Sequence, residues 1–153
     1  MTDLRTRFTD DMKTAMKAGD ANTTATIRLI IAAMKMKDVD ARGAGKDQAS
    51  DAELFSMMQT MIKQRQESSK VFRDNARPEL ADKEDAEIKI IENYLPKQMS
   101  ESDVDAAITA VIAELGVTSA KDMGKVIGVL KTKYAGQIDM AKASAVVKGK
   151  LAA

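Results

Sequence analysis

The stretch IKIIENYLPKQMSESDVDAAITAVIAELG (88–116) decides the fold. On its left, Ile88, Ile91 and Leu95 continue an apolar stripe that begins at Leu80 and recurs at threes and fours, the period of a helix. Pro96 disfavours helical geometry in the residue before it, so this helix must stop near Leu95. Ser100, with Asp103 three residues on, is a helix-start signal. Val104, Ala107, Ile108, Val111, Ile112 and Leu115 then form a new stripe, and Gly116 suits the position just past a helix end. Two helical stripes with a proline stop between them predict an all-α chain with its boundary at 95/96. The parts are a larger N-terminal helical domain of long helices (1–95) and a small C-terminal three-helix domain (96–153).

Reading towards the N-terminus, Leu4, Phe8, Met12, Ala15 and Met16 predict a first helix ending near Gly19. Ile27, Ile30, Ile31 and Met34 predict a second, which fades into Arg42-Gly43-Ala44-Gly45. Ser50 before Glu53 is a capping-box start for a long third helix carrying Leu54, Met58, Met61, Ile62 and Phe72. Pro78 fits the first turn of a fourth, where its missing N–H is no loss. Towards the C-terminus, Ser119 with Asp122 opens a sixth helix carrying Met123, Val126, Ile127 and Leu130. Asp139 caps a seventh with Met140, Ala143, Val146, Val147 and Leu151. No strand pattern and no repeat of fixed period is found.

Composition removes most enzyme chemistry. The chain has no Cys, His or Trp. That excludes disulfides, thiolate nucleophiles, imidazole bases, Ser-His-Asp triads and the usual zinc sites. No catalytic residue, metal site or cofactor is expected. Gly43-Ala44-Gly45-Lys46 lacks the spacing and the preceding strand of a phosphate loop. Asp38-Val39-Asp40 lacks the rest of a calcium loop. The acidic run Asp82 to Glu87 reads as a solvated first turn favoured by the helix dipole. The basic back half of the third helix, Lys63, Arg65, Lys70, Arg73 and Arg77, reads as paired within its own helix, with Glu67 and Asp74 interleaved. The start, MTDLRTRFTDDMK (1–13), carries acidic residues at Asp3, Asp10 and Asp11 and has no apolar run, unlike a secretory or transit leader. No apolar stretch approaches the ~20 residues of a membrane span. These features give the expectation of a cytoplasmic protein with no membrane contact.

Eleven Met and five aromatic residues predict a core filled by flexible thioethers, or a Met-lined binding face. The net charge is +1, but residues 116–153 carry seven lysines against Asp122 and Asp139. Gly124 and Gly128 sit four apart within the sixth helix, each disfavouring it by roughly 1 kcal/mol. Four apart, they share one face and leave a strip without side chains, flanked by Lys121 and Lys125. A phosphodiester backbone can approach such a strip closely; a neighbouring helix packed into it explains the glycines equally well.

The segments MIKQRQESSKVF (61–72), ARPELADKEDAEIKIIENYLPKQMS (76–100) and DMGKVIGVLKTKYAGQIDMAKASAVVKGKL (122–151) resemble the YqeY family. That family is related to the tail domain of GatB, a subunit of the aspartyl/glutamyl-tRNA amidotransferase. The family pattern carries Gly where this chain has Ala76, which puts the turn there in question. It often carries Met where this chain has Ile127.

The resemblance implies a link to tRNA, because the related tail approaches the outer corner of tRNA. It also implies that any carbon–nitrogen ligase label, with glutamine as amido donor, is inherited from machinery that this chain lacks. The expectation is a non-catalytic tRNA-binding adaptor that reads backbone and shape, with no DNA ligand. Its charges would be Lys121, Lys125, Lys131 and Lys133, with Lys142, Lys148 and Lys150 behind them, and Gly124 and Gly128 would give close approach. The alternative is a protein–protein module that docks on a tRNA amidotransferase or an aminoacyl-tRNA synthetase through the Met-rich face of the long helices.

Overall fold

The computed structural model describes residues 3–152. Among them are seven α-helices, one short 3₁₀ turn and no strand. The chain divides into two compact units, Met1–Leu95 and Pro96–Ala153.

The first unit holds α1 (Leu4–Lys17), α2 (Ala21–Gly43), α3 (Asp51–Asp74) and α4 (Pro78–Glu92). Side-chain oxygens start three of them by accepting otherwise unpaired backbone N–H groups. Asp3 accepts from Arg5 N at 2.9 Å, Asp20 from Thr23 N at 3.1 Å and Ser50 from Glu53 N at 3.2 Å. The Glu53 carboxylate does not close the expected capping box; it binds Lys46 Nζ at 2.9 Å. α4 has no side-chain cap and starts on Pro78.

Phe8, Ile27, Ile30, Leu54, Met58 and Ile91 form the centre of the first core. Met57 and Met61 are buried beside them, so these methionines of α3 belong to the core. Tyr94 closes the core edge-on to Phe8, with ring centroids 4.8 Å apart. Its hydroxyl donates to Asp11 at 2.7 Å. Burial, and then the Asp11 carboxylate, push this phenol above its ordinary range.

Three helices end in the same hydrogen-bond pattern. Asp20 N donates to Ala15 O, Lys46 N to Ala41 O and Arg77 N to Phe72 O, at 2.9, 2.9 and 2.8 Å. In each case the residue before the donor takes a left-handed conformation. Gly19 and Gly45 do so freely, at φ 70° and 85°; Ala76 does so at φ 57°. The turn is therefore kept without the glycine of the family pattern. A left-handed L-residue costs about 1–2 kcal/mol. Ala76→Gly recovers part of that and adds backbone freedom to the unfolded chain. We expect a net gain of about 0.5–1 kcal/mol in urea unfolding; a loss would show that Ala76 is held there by packing.

The basic half of α3 is paired differently from the sequence-based expectation. Arg65 Nε meets Glu87 at 2.9 Å, and Arg73 Nη2 meets Asp82 at 2.9 Å and Asp85 at 2.6 Å. Asp85 also accepts from Ser69 Oγ at 2.7 Å. The arginines thus reach across to α4 rather than along α3, and the acidic run of α4 is their partner rather than a purely solvated turn. The Ser69 hydroxyl, then Arg73, hold the Asp85 carboxyl below its usual range. Among the described residues, no cluster of acidic side chains could hold a metal ion.

The second unit holds α5 (Glu101–Leu115), the 3₁₀ turn Ala120–Asp122, α6 (Met123–Lys133) and α7 (Met140–Leu151). Ile108, Val111, Val126, Leu130, Ala143, Val147 and Leu151 make its core. Ser100 accepts from Asp103 N at 3.1 Å, and Asp139 from Ala141 N at 2.9 Å. Ser119 caps the 3₁₀ turn rather than α6, through Lys121 N at 3.3 Å. The segment that enters this unit is held by Met99 N donating to Gln137 O at 3.0 Å and by Gln98 Nε2 donating to Gly136 O at 2.6 Å.

Candidate nucleic-acid interface

α6 buries Val126 and Leu130 and turns its opposite side to solvent. Successive residues on a helix are about 100° apart. Lys125 and Lys131 therefore lie about 60° to either side of Gly128, with Gly124 and Thr132 about 40° from it. Gly124, Lys125, Gly128, Lys131 and Thr132 are all exposed. A Cβ placed on Gly124 or Gly128 would have nothing within 4 Å. Among the described residues no helix packs into the strip, which removes the packing explanation for the two glycines. Lys121 is exposed in the 3₁₀ turn that leads into the same helix.

The remaining expected charges are not equivalent. Lys125 keeps 72% of its side chain exposed but lies 3.5 Å from Asp122. An exposed pair of this kind is worth little and exchanges readily for another anion. Lys133 falls about 140° from Gly128, away from the strip. Its ammonium sits over the Tyr134 ring, 5.7 Å from the centroid. Lys150 is drawn to Asp105 at 3.1 Å, with 30% of its side chain exposed. Lys142 and Lys148 are exposed on α7.

α7 repeats the layout of α6. In Lys125-Val126-Ile127-Gly128-Val129-Leu130-Lys131 the second and sixth residues are buried, the fourth is small and exposed, and lysines stand at both ends. Lys142-Ala143-Ser144-Ala145-Val146-Val147-Lys148 has the same pattern. Ala141 and Gly149, four residues to either side of Ala145, extend its bare strip, and both are exposed. Nothing stands within 4 Å of a Cβ built on Gly149. The sequence reading missed Ala141, Ala145, Gly149 and Thr132. The seven-residue repeat was the available signal, but it occurs only twice and so shows no period.

Away from these helices, a cleft on α3 is lined by Gln64, Glu67, Ser68, Val71 and Phe72. Glu67 is its one ionisable group, so no acid–base pair converges there. Among the described residues, no helix is long and apolar enough to cross a membrane.

The sequence pattern described as Yqey-like protein matches residues 5–151. A relative from Lachancea thermotolerans, named Altered inheritance of mitochondria protein 41, mitochondrial, is 36% identical over 107 residues. Relatives of the same name from Kluyveromyces lactis and Vanderwaltozyma polyspora are 35% identical over 108 residues and 31% over 119. The matches cover 69%, 69% and 74% of this chain, and 56%, 56% and 63% of the respective relatives. The chain therefore spans little more than half the length of the first two. The names overturn the expectation of a cytoplasmic protein, because these relatives are mitochondrial by name. A compartment is addressed through a short receptor-read segment, and the composition of a folded helical part carries no such address.

Proposed function

The chain belongs to the YqeY-like family, and from that premise we propose that it is a non-catalytic RNA-binding adaptor whose ligand is tRNA, held by its phosphate backbone and shape. The observation that carries this reading is the open strip of Gly124 and Gly128 between Lys125 and Lys131. Two helix-interior glycines carry a stability cost, among the described residues nothing packs on them, and cations stand at both edges. A phosphodiester backbone suits that geometry: it needs close approach to the helix barrel and positive charge on both sides, with no base-specific donor. The same layout on α7 supplies a second such strip. Tyr134 is an aromatic ring near the lysines on which an unpaired base could stack. The relation of the family to the GatB tail supports tRNA as the RNA concerned.

The test is equilibrium binding of tRNA to the full chain over a salt series. Each lysine contact to a phosphate contributes about one unit to the slope of log affinity against log salt. Lys125→Ala should weaken binding and flatten that slope by about one unit. Lys133→Ala, on the other side of the helix, should leave the slope nearly unchanged. A Lys121→Ala/Lys125→Ala chain that stays folded and binds tRNA like the parent at low salt would sink the proposal.

A further inference from the structure

The outer face of α2 is apolar along nearly its whole length. Ala25, Leu29, Ala32, Met36, Val39 and Gly43 are spaced four, three, four, three and four apart, and all are exposed. Leu29 is 48% exposed, Met36 66% and Val39 59%, the largest values among the large apolar side chains of this helix. The spacing is the 3.5-residue period of a coiled-coil seam, extending about 27 Å along the helix. The opposite face of α2, with Ile27, Ile30 and Ala41, is already in the core. A helix that is apolar on both sides is normally covered on both, and among the described residues nothing covers this side.

The charges along the seam define what fits it. Arg28, Lys35 and Arg42 each stand one position before Leu29, Met36 and Gly43, and so form one basic row seven residues apart. All three are exposed, and none is in an ion pair among the described residues. The other flank offers Thr26, Ala33 and Asp40, of which Thr26 is buried. An antiparallel second copy would set the basic row against itself. A parallel second copy would find only Asp40 to pair with. We propose that the α2 seam is a docking surface for an amphipathic partner helix with an acidic flank, seated on Leu29, Met36 and Val39 and paired with Arg28, Lys35 and Arg42. Ala25, Ala32 and Gly43 let its backbone approach closely. This surface lies in the first unit and does not depend on the RNA reading.

Two synthetic 28-residue helices test this against the full chain by calorimetry. Both carry Leu at the seam positions; one has Glu at the flanking positions and the other Lys. The Glu helix is expected to bind at least about tenfold tighter than the Lys helix, as several charge pairs add. Met36→Asp should abolish its binding. Arg28→Glu/Lys35→Glu/Arg42→Glu should invert the preference. All four positions are exposed, so unchanged helicity and melting temperature check the fold. Equal binding of the two helices, or a triple variant that still prefers Glu, would overturn the proposal. So would binding to phosphatidylserine vesicles without peptide binding, which assigns the face to lipid. A dimer in sedimentation that Met36→Asp dissolves would assign it to a second copy and overturn the proposal as well.

Discussion

Asp38→Ala is expected to lower the unfolding free energy of the first unit by about 3 kcal/mol. Arg5 meets Asp38 with both terminal nitrogens, each at 2.7 Å. The same carboxylate accepts from Ala49 N at 2.9 Å, and Arg5 Nη2 also donates to Ala49 O at 2.9 Å. One ion pair therefore ties α1, α2 and the linker before α3 at a single backbone residue. Removing the carboxylate leaves the buried Ala49 N–H without its acceptor and the guanidinium without its counter-charge. The loss is set at the low end of the range for broken buried pairs because Arg5 keeps 22% of its side chain exposed and can turn to water.

The clamp also predicts a pH dependence. Arg5 holds the Asp38 carboxyl well below the usual carboxylate range, at about 2. A depressed folded value means that the unfolded chain takes up the proton first. The stabilisation is therefore complete above about pH 4 and is lost as pH falls towards 2, a swing of about 2 kcal/mol. Urea unfolding followed by NMR at α1 and α2 amides, at pH 7 and pH 2.5, measures both effects. The parent and Asp38→Ala curves should draw together at the lower pH. A gap below 1 kcal/mol at pH 7, or one equal at both pH values, would mean that the linker is held by something else.

That clamp was not legible in the sequence, where Asp38 attracted notice only as part of an incomplete calcium pattern. Helix ends were legible because their causes are local. Ser50, Ser100 and Asp139 accept N–H groups two or three residues away, and Pro78 acts within its own turn. Charge pairing was misread for the opposite reason. Glu67 and Asp74 were the near partners for the α3 arginines, yet packing against α4 presents Asp82, Asp85 and Glu87 instead. A choice between partners in sequence and partners in space depends on which faces meet, and one-dimensional spacing does not contain it. The outer seam of α2 stayed hidden because its inner stripe, with Ile27 and Ile30, already satisfied the expectation of a helix. The glycines were visible as an oddity, but coverage is a tertiary fact: only the three-dimensional arrangement separates an open strip from a packed one.

The openness of that strip leads to an effect of unusual sign. Replacing Gly124 and Gly128 together by Leu should stabilise the second unit and strongly weaken RNA binding. The stabilising part is local. Each glycine disfavours the helix by about 0.8–1 kcal/mol relative to Ala, and Leu is close to Ala. Nothing within 4 Å opposes a Cβ at either site, and neither glycine has a positive φ. A gain of about 1–2 kcal/mol is therefore expected in denaturant unfolding. The binding part is steric. Two branched side chains would fill the strip between Lys125 and Lys131 and keep the phosphate backbone from lying against the helix. If both flanking contacts are lost, tRNA affinity should fall on the order of a hundredfold near 0.1 M salt. The Ala pair should gain the same stability, lose less affinity and keep the parent salt slope, since its lysines can still reach. Destabilisation by the Leu pair would mean that the strip is covered in solution. A more stable Leu pair with undiminished tRNA binding would leave the lysines as ordinary surface, because close approach is the one property of this face that the glycines supply.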